Sequence, residues 1–243
     1  MIPSTSSLSS RRIKTPALQQ RAAFHEAGHA AAIYLYNKLK KLPPVFFRIT
    51  INKPLSSATK NTVNNAKNRR HAIARVEGGR LIENLPASID GIDDLVRNNP
   101  EQTLATRREL IAVLEADVIT LLSGVLAEAK FVADCDGEQI NGHLLNLNSL
   151  KNYRDSVDLA LVNDYIKCLI PEKKERNEKL TELFGKAFEF INEYSTWSGI
   201  SRLANHILEK NHSIDCEEVI RLLDEETGLQ TRRHSMTFYN PAL

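Results

Sequence analysis

His25-Glu26-Ala27-Gly28-His29 constrains this chain more than any other stretch of it. On an α-helix, positions i and i+4 lie on one face, a turn apart, so both imidazoles can reach a single cation. Zn²⁺ accepts neutral imidazole nitrogens at ~2.0–2.1 Å and keeps an open coordination position in catalytic sites. Glu26 follows the first histidine by one residue. That puts its carboxylate beside the metal rather than on it, where it can take a proton from bound water. The flanks Ala22, Ala23, Ala27, Ala30, Ala31 and Ala32 make a slim helix. A glycine inside a helix costs about 1 kcal/mol relative to alanine, so Gly28 points to close approach by another element or by a substrate. Two histidines on a helix can also be plain surface or core residues. Here helix, spacing, interposed glutamate and small neighbours agree on a metal.

The rest of the chain is read around that helix. Ala17 to Lys40 has no internal proline and is stopped by Leu42-Pro43-Pro44. Val45 to Ile51 is β-branched and aromatic and reads as a strand. Ser56 to Arg70 is rich in Ser, Thr, Asn and Lys and reads as a loop, and a short second strand between Ala72 and Leu85 could pair with the first. Glu101 to Val132 is helical, with Leu110, Val113, Leu114, Val118, Leu121, Leu122, Val125 and Leu126 at helical spacing. Ala133 to Asn148 reads as a loop. Helices are expected over Leu150 to Ile170, Glu172 to Tyr194, Ile200 to Glu209 and Asp215 to Glu226, the last stopped by Gly228. The expected fold is α+β, predominantly helical, with a small sheet or hairpin beside the motif helix. One domain is expected over 17–229, between a basic, serine-rich leader (1–16) and a loose polar tail (230–243).

Composition excludes several classes. Lys plus Arg is 32 and Asp plus Glu is 30, a net charge of +2, which argues against nucleic-acid or membrane-surface binding. The longest apolar stretches, such as Ala30 to Tyr36, fall short of the ~20 residues that cross a bilayer, so no membrane association is expected. Cys135, Cys168 and Cys216 are odd in number and form no CxxC pair, which suits a reducing compartment, the cytoplasm. His71, His143, His206, His212 and His234 are isolated and read as surface or capping residues, and Phe188 and Trp197 as packing residues.

Phe24-His25-Glu26-Ala27-Gly28-His29-Ala30 resembles the zinc motif of the FtsH-type peptidase family, HEAGH. Val45 to Pro54 is similar to the strand that follows the motif helix in that family. Leu122-Ser123-Gly124-Val125-Leu126-Ala127-Glu128 is similar to its L-G-G-R-x-A-E helix, with Val125-Leu126 replacing Arg and its neighbour. The likeness spans roughly residues 17 to 170. It implies a zinc metallopeptidase acting on a peptide or protein, with His25 and His29 as ligands, an aspartate from a later helix as the third, and Glu26 as general base. The family's ATPase module and membrane anchors do not carry over, because the chain has no G-x-x-x-x-G-K-[ST] and no membrane helix is expected. An ATP-independent, free-standing relative of the peptidase domain is implied.

A third ligand must point from its helix toward the motif helix, so its helical neighbours should be apolar. From Asp158 the matching positions are Val162, Tyr165, Ile166, Leu169 and Ile170, whereas from Asp155 they are Leu159, Val162, Asn163, Ile166 and Lys167. Asp158 is the better candidate and Asp155 the alternative. Glu128 could hold the other ring N–H of a histidine, or be an exposed helix carboxylate. An extended substrate could add to the edge of the strand Phe46 to Ile51 through backbone hydrogen bonds. A rival reading keeps the metal but not the chemistry: a silent, zinc-stabilised scaffold or interaction module, with Glu172 to Glu226 as its partner surface. A plain helical binding protein without metal is the third.

Overall fold

The computed structural model describes residues 18–52, 73–80, 82, 85, 107–140 and 156–237. The first helix α1 (Leu18–Ala31) passes without a break into a π-helical turn (Ala32–Tyr36) and a last α turn, α2 (Asn37–Lys40). Lys41 adopts φ 55° and its amide, with that of Leu42, caps the carbonyls of Asn37 and Lys38. A left-handed residue at this position is the usual way to end a helix, and Pro43-Pro44 then prevents its resumption. Strands β1 (Phe47–Ile51) and β2 (Ala74–Gly78) follow, then the long helix α3 (Arg107–Asp136) and helices α4 (Ser156–Leu169), α5 (Lys173–Asn192) and α6 (Tyr194–Glu209). A two-residue strand β3 (Ile214–Asp215) leads into α7 (Cys216–Thr237). The fold is predominantly helical α+β, as the sequence leads one to expect.

The antiparallel sheet has the order β2-β1-β3. Phe47 and Ile49 of β1 are buried while Arg48 is exposed, the period-two alternation of a strand with one face on a core. One apolar core joins this sheet to α1 and to α3 through α7, and α3 runs through its centre. Every member of the predicted α3 stripe is buried.

The seam between α1 and α3 determines where the motif can sit. A Cβ built on Gly28 would lie 2.6 Å from the Ser123 carbonyl oxygen and 2.7 Å from Ala127 Cβ. The close approach inferred for Gly28 is therefore made by α3. One on Gly124 would lie 2.4 Å from the His29 ring. The order of contacts, Arg21 to Glu128 at one end and His29 to Thr120 at the other, makes the two helices antiparallel. Beside the seam, Phe24 stacks on Phe131 at a centroid distance of 4.0 Å, and Trp197 closes over Phe24 at 5.5 Å. Phe188 stacks beside Phe184, so both aromatic residues assigned to packing do pack.

Several expected boundaries move. Residues 133–136, expected in a loop, extend α3 to Asp136, and the helix ends at Gly137 with φ 73°. The helix expected from Ile200 begins at Tyr194, because the Glu193 side chain accepts the Ser195 and Thr196 amides and caps it. The last helix does not stop at Gly228 but continues to Thr237, so residues 230–237 of the expected loose tail are helical, and 238–243 lie outside the described residues. The predicted loop Ser56 to Arg70 and leader 1–16 lie outside the described residues, as do His71, His143 and Asp155. The expected absence of any span long enough for a bilayer needs correcting. Arg108–Asp136 is long and apolar enough by length and composition, with a mean hydropathy of 2.1 over its best window. Glu115 and Asp117 interrupt its apolar run, which hides it from a search for unbroken stretches. That window is 78% buried inside the protein, so its apolarity serves the core.

Gly28 and Gly185 provide opposite tests of this packing. Gly28→Ala is expected to lower stability by about 1–3 kcal/mol through overpacking, or roughly 2–4 °C in Tm per kcal/mol. Gly185 lies within α5 with nothing within 4 Å of a built Cβ, so Gly185→Ala is expected to raise stability by roughly 0.5–1 kcal/mol. Thermal unfolding of both variants measures the difference.

Candidate metal centre

The α1–α3 seam determines how the two motif histidines are protonated. His25 Nδ1 lies 3.2 Å from Glu128 Oε2, and His29 Nδ1 lies 2.9 Å from the Thr120 carbonyl oxygen. An ionised carboxylate and a carbonyl oxygen can only accept. Each Nδ1 therefore donates, and in a neutral ring the Nε2 is left as a bare lone pair. The two Nε2 atoms face each other at 3.0 Å. Asp158 Oδ2, from the first turn of α4, lies 2.9 Å from His25 Nε2 and 3.3 Å from His29 Nε2.

Three acceptors at 2.9–3.3 Å repel one another unless a positive charge lies among them. A tetrahedral ion with ligands at ~2.0–2.1 Å separates its ligand atoms by roughly 3.3 Å, close to this triangle. Both histidines are buried and Asp158 is mostly so. The donor set of two imidazole nitrogens and one carboxylate oxygen suits Zn²⁺ and leaves one tetrahedral position free. Without a metal, a proton has to supply the charge. Burial alone would lower the His25 pKa, but hydrogen bonds to Asp158 and Glu128 and the charge of Glu26 outweigh it and raise it to about 10. Burial likewise opposes ionisation of Asp158, yet the charge of His29 and the bond to His25 hold its carboxyl well below the usual range.

Glu128 is fully buried, not the exposed carboxylate that was its alternative role. Besides His25 it accepts from Arg21, Nη2 at 2.7 Å and Nε at 2.8 Å. These partners overcome burial and keep it ionised, with its pKa lowered. Arg21 stands one turn before His25, so the order Arg21, His25, His29 runs along one face of α1.

Glu26 sits on the other flank of the triad. Its Oε2 accepts the Val76 amide at 2.7 Å. The ladder explains why that amide is available. Gly79 donates to Phe46 and Asn52 to Ile73, which makes the pair Ile49–Val76 non-hydrogen-bonded and turns the Val76 amide outward. The expected substrate edge on Phe46 to Ile51 is corrected by the same topology. β1 is the central strand, flanked by β2 and β3, whereas no described strand covers the outer side of β2.

The cavity over the triad encloses about 360 Å³ and is lined by His25, Glu26 and His29, by Arg75, Val76, Gly78, Gly79 and Arg80 around β2, and by Asp117, Leu121, Val157 and Leu161. Ile33 enters it from the π-helical turn that follows His29 and touches Gly79. Sequence reasoning had no means of finding the Thr120 carbonyl or the Val76 amide, because backbone groups carry no residue-type signal. Asp117 could have been found, as a carboxylate on the apolar stripe of α3. It is buried, accepts the Tyr165 hydroxyl at 2.9 Å, and is pushed up to about 7 by burial. Of the isolated histidines, His206 pairs with Glu218 at 2.8 Å and His212 is exposed. The cysteines Cys135, Cys168 and Cys216 are all free.

Comparison with models of known protein families, with curated proteins and with solved structures finds no match to this chain.

Asp117 sets a pH dependence. Its folded pKa is about 7 against 3.8 unfolded, so the folded protein holds a proton that the unfolded chain has released. Stability from this group is complete below pH 4 and falls as pH rises to about 7, by a few kcal/mol at most. Asp117→Asn keeps an acceptor for Tyr165 but cannot ionise. The difference in Tm between wild type and variant is expected to shift in the variant's favour between pH 4.5 and pH 7.5.

Proposed function

We propose that this protein is a zinc-dependent peptidase, with His25, His29 and Asp158 as metal ligands and Glu26 as the general base, related to the FtsH-type peptidases that its motif resembles. The observation that carries this reading is the convergence of two bare imidazole lone pairs and a carboxylate oxygen on one point, with both tautomers dictated from behind. A purely structural pair of histidines has no need of such a repulsive arrangement. A zinc ion held there would lower the pKa of a bound water and polarise a peptide carbonyl.

The remaining steps belong to the chain's own residues. Glu128 and the Thr120 carbonyl hold the two rings in the tautomer that binds a cation, and the negative charge of Glu128 increases the basicity of His25. Arg21 keeps Glu128 ionised, so a charge relay of Arg21, Glu128 and His25 stands behind the ligand. Glu26 takes the proton of the attacking water and returns it to the leaving amine. Its hydrogen bond from Val76 aims the carboxylate along the β2 edge, and an extended peptide laid on that edge brings its carbonyl to the same place.

The bond from Val76 also favours a second reading. With one oxygen of Glu26 already engaged by backbone, a metal-stabilised scaffold that performs no hydrolysis would look the same at rest.

Separate variants distinguish the two. Glu26→Gln is expected to keep near-stoichiometric zinc in elemental analysis while peptide hydrolysis falls by at least 10³-fold. Full activity in Glu26→Gln would rule out the mechanism, and wild-type protein that binds zinc but cleaves no peptide in a library would leave the scaffold. Removing the buried carboxylate behind His25, in Glu128→Gln, is expected to weaken zinc affinity by about 10–100-fold, measured by competition with a chromogenic chelator.

A further inference from the structure

The cavity over the triad has a polar end that the proposed hydrolysis does not use. Asp117 stands one turn before Thr120 on α3, about 4.5 Å along the helix from the residue that supports His29. Tyr165 stands seven residues after Asp158 on α4, about 10 Å along that helix and on the same face. The two side chains meet at 2.9 Å. Arg80 comes from the other wall: after β2 the chain turns at Gly78 and Gly79, with φ 81° and 84°, and the exposed Arg80 lines the same cavity as Asp117. A Cβ on Gly78 would lie 2.7 Å from the Phe46 carbonyl oxygen, and one on Gly79 2.4 Å from Ile33, so the turn that delivers Arg80 admits only glycines.

Resting on the peptidase reading, we propose that Arg80 makes this end of the cavity a subsite for a carboxylate carried by the residue that follows the scissile bond, either an Asp or Glu side chain or a free chain terminus. The reach fits. A substrate residue advances ~3.3–3.6 Å along an extended chain, and a side chain adds a few ångströms more, which keeps that carboxylate within the cavity that the triad and Arg80 line together. The chemistry fits as well. A guanidinium presents a planar fork of donors that matches a carboxylate in two parallel bonds. Asp117 is the group that could oppose an incoming anion. Burial raises its pKa to about 7, so below neutral pH it is protonated and does not. The apolar residues Leu121, Val157 and Leu161 line the cavity between the triad and this end, where water is displaced around the ion pair.

The test uses the full zinc-loaded chain and two substrate series. In the first, C-terminally amidated fluorogenic peptides differ only in Asp, Asn or Lys after the cleaved bond. In the second, the residue there is neutral and the terminus is a free acid or an amide. The expected result is a preference in kcat/KM of at least tenfold for the carboxylate in one series or both, with the series that responds identifying its source. In Arg80→Gln that ratio is expected to fall to about one, and in Arg80→Glu to invert toward Lys. No preference in either series, or a preference that survives Arg80→Gln, would overturn the proposal. Should wild-type protein cleave nothing, the peptidase reading fails separately, and binding decides the subsite. N-acetyl-Leu-Asp-amide, N-acetyl-Leu-Asn-acid or both are expected to bind the zinc-loaded protein at least fivefold more tightly than N-acetyl-Leu-Asn-amide by NMR titration, with the difference lost in Arg80→Gln. Equal affinities for all three would sink it.

Discussion

Much of the site rests on how closely α1 and α3 approach. With Gly28 facing the Ser123 carbonyl and Gly124 under the His29 ring, the helices meet almost backbone to backbone. Only at that separation can one helix supply both histidines and the next supply both of their Nδ1 partners. A larger residue at either glycine would separate the Thr120 carbonyl from His29 and Glu128 from His25. Both rings could then rotate or change tautomer. The alanines around the motif have the same purpose: they leave room for a second helix where larger side chains would fill it.

The site concentrates charge in a place where charge is costly. Arg21, Glu128, His25 and Asp158 form one connected chain of ion pairs and hydrogen bonds through a largely dry interior. Each member depends on the next, since removing one partner of a buried pair leaves the other unpaired. The arrangement is one positive group short of neutral between His25, His29 and Asp158. A proton can meet that deficit at moderate pH and a divalent cation held there would meet it more fully, so the electrostatics of the fold favour a cation at this point as much as the three acceptor atoms do.

Much of this was legible in the residues. The motif helix, the strand after it, the α3 stripe and the choice of Asp158 all rest on periodicity and residue type, and each residue stands where that reasoning puts it. Asp158 could be selected because a helix facing the core must be apolar around an inward carboxylate, and its carboxylate does lie beside both histidines. Errors arose where the deciding interaction was local capping or strand order. Glu193 starts α6 early by accepting two amides, Gly228 does not break α7, and β3 covers the edge of β1 that a substrate was expected to use. None of these has a strong signature in a single sequence, because a glycine permits a break without requiring one and a two-residue strand has no period.

The sequence by itself determined the helix that carries His25, Glu26 and His29, since i, i+4 spacing within an alanine-rich, proline-free segment has one regular solution. It also pointed to a close approach at Gly28, by another element or by a substrate, which the structure shows to be made by α3. Only the tertiary structure decided which groups stand behind the histidines, which edge of the sheet lies over them, and that Arg80 lines the same cavity as Asp117, the partner of Tyr165. The hydrogen bonds among them join residues between 48 and 103 positions apart. They depend on the register of helix against helix and strand against strand, which is set by the packing of the whole core and by no local pattern.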